Sequence, residues 1–293
     1  MRVVTRISVA LAMVAASMAM AGAATAKPQP QALALPSPLR FASSLDLECF
    51  KTAPYTPPVT FAIQTRHLNP VLGHLPVEAN PLGTREQLCV PVAKNNVIPP
   101  PEVLAFVRFV DLACYRTQGV NVNQPLRLTH LNRVLSGIPV KSVTITVPTQ
   151  LCVPVFKNNA VPPPEVRRLV SFIDLKCYVE TPQVSLDKAL TLSHLNPVLA
   201  NVPRHNARVT VNRQLCVPVQ KNNQAIPADV LNIVRWLDLE KYDLITPALT
   251  APVTLTIRHL NPLLANLPAE TVTLTAANQI MLPVAKNGVI PPA

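Results

Sequence analysis

Leu45-Asp46-Leu47-Glu48-Cys49-Phe50, followed further along by Gln87-Leu88-Cys89-Val90-Pro91-Val92-Ala93-Lys94-Asn95-Asn96, is the stretch that decides this chain, because it is written four times. The opening phrase returns around Asp111, Asp174 and Asp238, and the closing phrase around Cys152, Cys216 and Met281. Successive opening aspartates lie 65, 63 and 64 residues apart, so the period is nearly constant. A fixed period of this length replaces one large domain by copies of a small one. Any residue serving a shared function should then recur once per unit.

Within a unit, Leu45, Leu47 and Cys49 alternate with polar residues, the period of a half-buried strand. A second alternating, β-branched run, such as Val253-Thr254-Leu255-Thr256-Ile257, precedes a His-Leu-Asn signature. That signature comprises His67 and Asn69, His130 and Asn132, His194 and Asn196, and His259 and Asn261. Asparagine is a favoured helix cap, and proline follows it in three of the four copies. A single helical turn is expected there, closed by a left-handed residue at His74, Gly137, Asn201 or Asn266. A third strand, clearest at Ser142–Val147, leads into the closing phrase. Its proline (Pro154 in unit two) lacks a ladder donor, which predicts an edge or a bulge. The Lys-Asn-Asn that follows is turn chemistry, since asparagine tolerates positive φ.

Between units the period changes. Val103, Phe106, Val107 and Val110 form a helical stripe, repeated at Val166, Leu169, Val170 and Ile173 and at Val230, Ile233, Val234 and Leu237. The expected fold is therefore a β-rich α+β protein: four tandem repeats of about 64 residues, each a small antiparallel sheet, joined by short helices. The divisions are a leader-peptide segment 1–26, a Pro-rich extended segment 27–44, repeat one at 45–98, then helix and repeat at 99–161, 162–226 and 227–293.

Residues 1–26 have the form of a cleaved secretory signal: Arg2 and Arg6, an apolar run from Ile7 to Ala24, and Ala24-Thr25-Ala26 at the cleavage point. The protein is expected to be secreted and extracellular, with no membrane span after cleavage. The mature chain has 293 − 26 = 267 residues, and loss of the two arginines takes its formal charge from +11 to +9. That balance is either a soluble basic surface or one that favours anionic surroundings, such as an anionic envelope polymer, an acidic polysaccharide or lipid headgroups. Aromatics are 4% of the chain and the basic residues stand singly, which argues against nucleic acid.

Six cysteines in an exported chain read as a disulfide framework. Units one to three each carry one cysteine in the opening and one in the closing phrase. Unit four has lost both, with Lys241 and Met281 in their places. Joint loss is what pairing within a unit requires, so the expected bonds are Cys49–Cys89, Cys114–Cys152 and Cys177–Cys216. Unit four is expected to lean on unit three through the helix before Trp236. The cysteines have neither close CxxC spacing nor an adjacent histidine, so no metal site is expected from them, and no cofactor.

The recurring histidines, together with Asp46, Asp111, Asp174 and Asp238, allow an Asp–His pair per unit. The stronger reading is structural, because recurring polar residues in modules usually satisfy local backbone groups. No nucleophile elbow, HExxH or phosphate loop is present. The leading expectation is thus a non-catalytic secreted tandem-repeat protein with a structural or binding role at the cell envelope. The alternatives are a secreted hydrolase using the repeated Asp and His, or a secreted inhibitor or toxin.

The Asp-Leu-x-Cys-Tyr opening and Leu-Cys-x-Pro-Val-x-Lys-Asn closing resemble a family of exported bacterial repeat domains of unknown function. The resemblance spans about residues 45–293. It implies exported, disulfide-bearing, β-rich modules and brings no catalytic residues with it. Unit four departs from the pattern at Lys241 and Met281.

Overall fold

The computed structural model describes residues 33–293; the signal-like segment and the start of the Pro-rich segment lie outside them. Four pairs of opening and closing strands alternate along the chain. They are β1 (Leu47–Tyr55) with β4 (Arg85–Lys94), β5 (Asp111–Arg116) with β7 (Lys141–Lys157), β8 (Leu175–Thr181) with β10 (His205–Lys221), and β11 (Leu239–Ile245) with β14 (Ala277–Lys286). Each opening strand pairs with its own closing strand and with the preceding one, always antiparallel. The pairing of β1 with β14 returns the chain to its start. The eight strands therefore form a closed ring, which removes the sheet edges that eight open strands would expose. This is one continuous sheet rather than four small separate ones, and Leu33–Ala293 is a single compact unit.

Hairpin strands lie outside the ring: β2 (Ala62–His67) with β3 (Glu78–Pro81), β6 (Gln124–His130) and β9 (Ser185–His194) with the starts of β7 and β10, and β12 (Val253–His259) with β13 (Glu270–Leu274). Each also pairs with the end of a closing strand two units away. β2 joins β10, β6 joins β14, β9 joins β4 and β12 joins β7. In units two and three the expected third strand and the closing phrase are one 17-residue strand, irregular where they meet.

The closing-phrase proline marks where the neighbour changes. On β7, pairing with β8 ends at Cys152 and pairing with β12 begins at Val155, with Pro154 between them. Pro91, Pro218 and Pro283 occupy the same gap on their strands. These prolines are in the wall, not at the edge expected for them, because the missing N–H falls where neither neighbour needs a donor. Their carbonyls are used: Pro91, Pro154, Pro218 and Pro283 accept from Leu195, Leu260, Leu68 and Leu131.

The Lys-Asn-Asn turns adopt positive φ at Asn95, Asn96, Asn158, Asn159, Asn222, Asn223, Asn287 and Gly288. The first asparagine of each turn also grips the distant hairpin. Asn95, for example, donates its N–H to Thr191 O at 2.8 Å, and its Oδ1 accepts from Thr191 N at 2.9 Å. The His-Leu-Asn segments lead into single 3₁₀ turns at Pro70–Leu72, Arg133–Leu135, Pro197–Leu199 and Pro262–Leu264. Their closing residues are right-handed, and His74, Gly137, Asn201 and Asn266 do not adopt positive φ. A 3₁₀ turn ends within three residues, so no left-handed cap is needed to stop it.

Helices α2 (Pro101–Val107), α3 (Pro164–Val170) and α4 (Ala228–Val234) bury the predicted stripes. A fourth, α1 (Pro38–Ala42), lies within the segment expected to be extended, with Phe41 and Ala42 buried. Its single turn is too short to show a helical period in the sequence. α1 packs against α2 and α4, and α3 against α2 and α4. Leu39 N donates to Pro292 O at 2.8 Å, tying the last residues to this first helix.

Wall residues segregate by alternation. Leu47, Cys49, Cys89, Leu112, Cys114, Leu175, Cys177, Leu239 and Met281 pack with the helices inside the ring. Phe50, Leu88, Val90, Tyr115, Leu151 and Tyr242 pack outward with hairpin residues such as Ile63, Leu190 and Leu255. Three disulfides, Cys49–Cys89, Cys114–Cys152 and Cys177–Cys216, bridge directly opposite residues of the wall. Among the described residues no helix is long and apolar enough to cross a membrane.

Candidate functional site

The helices precede the opening strands and so close one end of the ring. The other end is formed where opening strands finish and closing strands begin. There a cavity of ≈ 760 Å³ is lined from all eight wall strands and the loop after β8. Its base carries Gln87, Gln150, Gln214 and Gln279, one from each closing strand, two residues before the cysteine or methionine and on the same face. Around them stand Lys51, Glu86, Arg116, Arg213, Asp243 and Asn278.

The amides are held by one another and by a buried cation. Gln87 Nε2 donates to Gln279 Oε1 at 2.8 Å, and Gln279 Nε2 donates to Asp243 Oδ1 at 3.1 Å. Lys241, in the place of a cysteine, is fully buried beneath them; its Nζ donates to Gln150 Oε1 at 2.7 Å and to Gln87 Oε1. Burial pulls its pKa down to about 7, against the opposing pull of Glu86 and Asp243. At the rim Arg213 pairs with Asp243 at 2.6 Å, and Arg116 pairs with Glu86. Amides both donate and accept, so this end can hydrogen-bond hydroxyl, carbonyl and carboxylate groups.

The recurring residues singled out from the sequence are elsewhere, between hairpins and wall. Asn69, Asn132, Asn196 and Asn261 cap their 3₁₀ turns, each Oδ1 accepting a backbone N–H at 2.9 Å. Their Nδ2 groups link units: Asn69 donates to Asp238, Asn132 to Asp46 and Asn196 to Asp111, at 2.8–3.0 Å. Asn261 donates instead to Ser171 O and Gln224 Oε1. Each aspartate is buried against a lysine of its own unit: Asp46 with Lys94, Asp111 with Lys157, Asp174 with Lys221 and Asp238 with Lys286. Desolvation raises these carboxyl pKa values and lowers those of the lysines, while each partner opposes the shift.

The histidines reach across to other units. His67 meets Tyr178, His130 meets Tyr242 and His259 meets Tyr115, each with Nε2 3.0 Å from the hydroxyl. His194 lies against Phe50 instead, with ring centroids 5.9 Å apart. The aspartates thus engage lysines and the histidines engage aromatic residues; none of them lines the cavity at the open end. Asp46 and Asn132 do border a smaller cavity of ≈ 360 Å³ beside α1.

The glutamines were missed as site residues although they stand in the repeated closing phrase. Their recurrence was the available signal; its meaning depends on ring closure, which brings four distant amides to one place. No family model, curated protein or solved structure matches this chain.

Proposed function

We propose that the protein is a non-catalytic secreted binding protein. In this reading the four sequence repeats are four structural copies closed into one ring. The open end of the ring takes a segment of an anionic, hydroxyl-rich envelope polysaccharide. The observation that carries this reading is the convergence of Gln87, Gln150, Gln214 and Gln279 at the base of one cavity, with Lys51 and the ion pairs Arg116–Glu86 and Arg213–Asp243 around it. The formal charge of +9 on the mature chain adds long-range attraction to such a polymer. Secretion is supported by the signal-like residues 1–26 and by three disulfides, which persist in oxidising compartments. The resemblance to exported repeat domains runs in the same direction.

The hydrolase reading draws no support from the recurring residues: the carboxylates pair with lysines, three of the imidazoles bond tyrosine hydroxyls, and the fourth, His194, is buried against Phe50.

The test is retention of the oxidised mature protein on insoluble acidic and neutral envelope polysaccharides across a salt gradient. Retention on the acidic polymer should fall with salt. It should also weaken in Lys51→Glu more than in Arg167→Glu, whose side chain is exposed on α3 at the closed end. Equal weakening by both would reduce the effect to net charge, and absence of retention at low salt would remove the reading.

A further inference from the structure

In the outer layer, unit one breaks a pattern that the other units keep. At Tyr242, the hydroxyl donates to Glu240 at 2.8 Å and stands 3.0 Å from His130 Nε2. At Tyr115, it donates to Glu270 at 2.7 Å and stands 3.0 Å from His259 Nε2. In each case the hydroxyl bridges an imidazole and a carboxylate that are 3.7–3.8 Å apart. Tyr178 also bonds its histidine, His67.

At the equivalent place in unit one the residue is Phe50, which has no hydroxyl. Its ring still packs on His194, but neither ring nitrogen of His194 has a hydrogen-bond partner. The His194 side chain is 1% exposed and that of Glu48 0%. His194 Nε2 faces Glu48 Oε2 at 3.6 Å, and that oxygen likewise lacks a hydrogen-bond partner. A third group converges here. His205, beside His194 on the same hairpin, places Nε2 2.8 Å from Glu48 Oε1. The ligand atoms of Glu48, His194 and His205 all lie within 4.8 Å of one another.

We propose that Glu48, His194 and His205 form a binding site for one divalent transition-metal ion, with Zn²⁺ as the best-suited occupant. Two imidazoles and one carboxylate are a known zinc ligand set. Metal–ligand bonds of about 2.0–2.2 Å in a tetrahedral arrangement put ligand atoms a little over 3 Å apart, close to the His194–Glu48 separation. The ion would satisfy the two orphaned atoms and replace the His205–Glu48 hydrogen bond by shared coordination. The 12% exposure of the His205 side chain leaves a solvent route for a fourth, water ligand. Because Glu48 is on the wall and both histidines on a hairpin of unit three, the ion would clamp the two units together. These ligands share no local spacing of the kind that marks a metal motif in a sequence; they are gathered by the pairing of β9 with β4.

The test is Zn²⁺ titration by calorimetry of oxidised, chelator-stripped full-length mature protein, with Co²⁺ absorption as a second readout. One ion per chain is expected, with a Co²⁺ spectrum of low-coordinate N/O ligation. The informative variant is Phe50→Tyr, which restores the histidine-bonding hydroxyl of the other units and should fold normally. Changes outside the ligand shell alone cost about 10–100-fold in metal affinity. Engaging His194 with a hydroxyl should therefore weaken binding by at least ~100-fold, and His205→Gln should do the same. Failure of the unaltered protein to bind Zn²⁺ stoichiometrically would overturn the proposal. So would Phe50→Tyr binding as tightly as the parent.

Discussion

Lys241 stands directly opposite Met281 in the wall, in the register that pairs cysteine with cysteine in the other three units. The backbone of unit four therefore presents a disulfide position occupied by an ammonium and a thioether. The double substitution Lys241→Cys/Met281→Cys should close a fourth disulfide without moving the wall. The chain-entropy model assigns a loop of this size up to about 4 kcal/mol. The new bond also removes the cost of burying Lys241. A denaturant midpoint above that of the parent under oxidising conditions, and lost on reduction, is the expected outcome.

No unit should fold alone. Unit four, expected from the sequence to lean on unit three, also gives β12 to β7 of unit two, sets β14 beside β1 of unit one and packs α4 on α1 and α3. Cut out of the ring, residues 227–293 would leave β11 and β14 with unpaired edges and their packed faces open to water. Circular dichroism of that fragment should show no cooperative unfolding transition. A sharp transition would mean that the repeats are self-sufficient beads.

What could be read from the sequence was whatever a single unit contains. Alternation at Leu45, Leu47 and Cys49 marked a strand, Asn95-Asn96 marked a turn, and the joint loss of cysteines at Lys241 and Met281 marked the disulfide partners. What could not be read depends on how units meet. Pro154 looks like an edge residue until the switch from β8 to β12 is known. His67 looks like part of a turn until Tyr178 arrives from unit three. The glutamine base was invisible for the same reason. A periodic sequence states its period but not whether its copies line up, stack or close.

The buried Asp–Lys pairs should behave as couples. Lys94→Met leaves the Asp46 carboxylate buried without its cation, a change that typically costs about 3–5 kcal/mol. Adding Asp46→Asn removes the stranded charge while leaving an oxygen for Asn132 Nδ2, so the double variant should recover much of the loss. Urea unfolding of the four members of this cycle measures the coupling. Additive losses would show that the pair is not held as an ion pair.

Acid should loosen the ring through its buried imidazoles. Burial holds His67 and His130 down at about 3, helped by Lys176 and Lys286 beside His67 and by Lys141 and Lys94 near His130. Each also faces a tyrosine hydroxyl, and Glu78 and Glu240 lie close by. In the unfolded chain both would titrate near their ordinary value of 6.5. Between roughly pH 6.5 and 3 the unfolded state thus binds protons that the folded state refuses, and stability falls as pH falls. Each histidine contributes up to about 1.4 kcal/mol per pH unit within that window. Glu78 and Glu270 are held below their ordinary 4.5 and add to the loss only beneath it. His205, raised by Glu48, works in the opposite direction. Asp46, Asp111, Asp174, Asp238 and Glu180, raised by burial, also take up protons in the folded state and oppose the loss, so it is the comparison with a variant lacking the two imidazoles that isolates their contribution. Urea midpoints measured from pH 6.5 to 4.5 should decline more steeply in the parent than in His67→Gln/His130→Gln, whose amides can still bond the tyrosines. An equal decline in both proteins would place the acid sensitivity elsewhere.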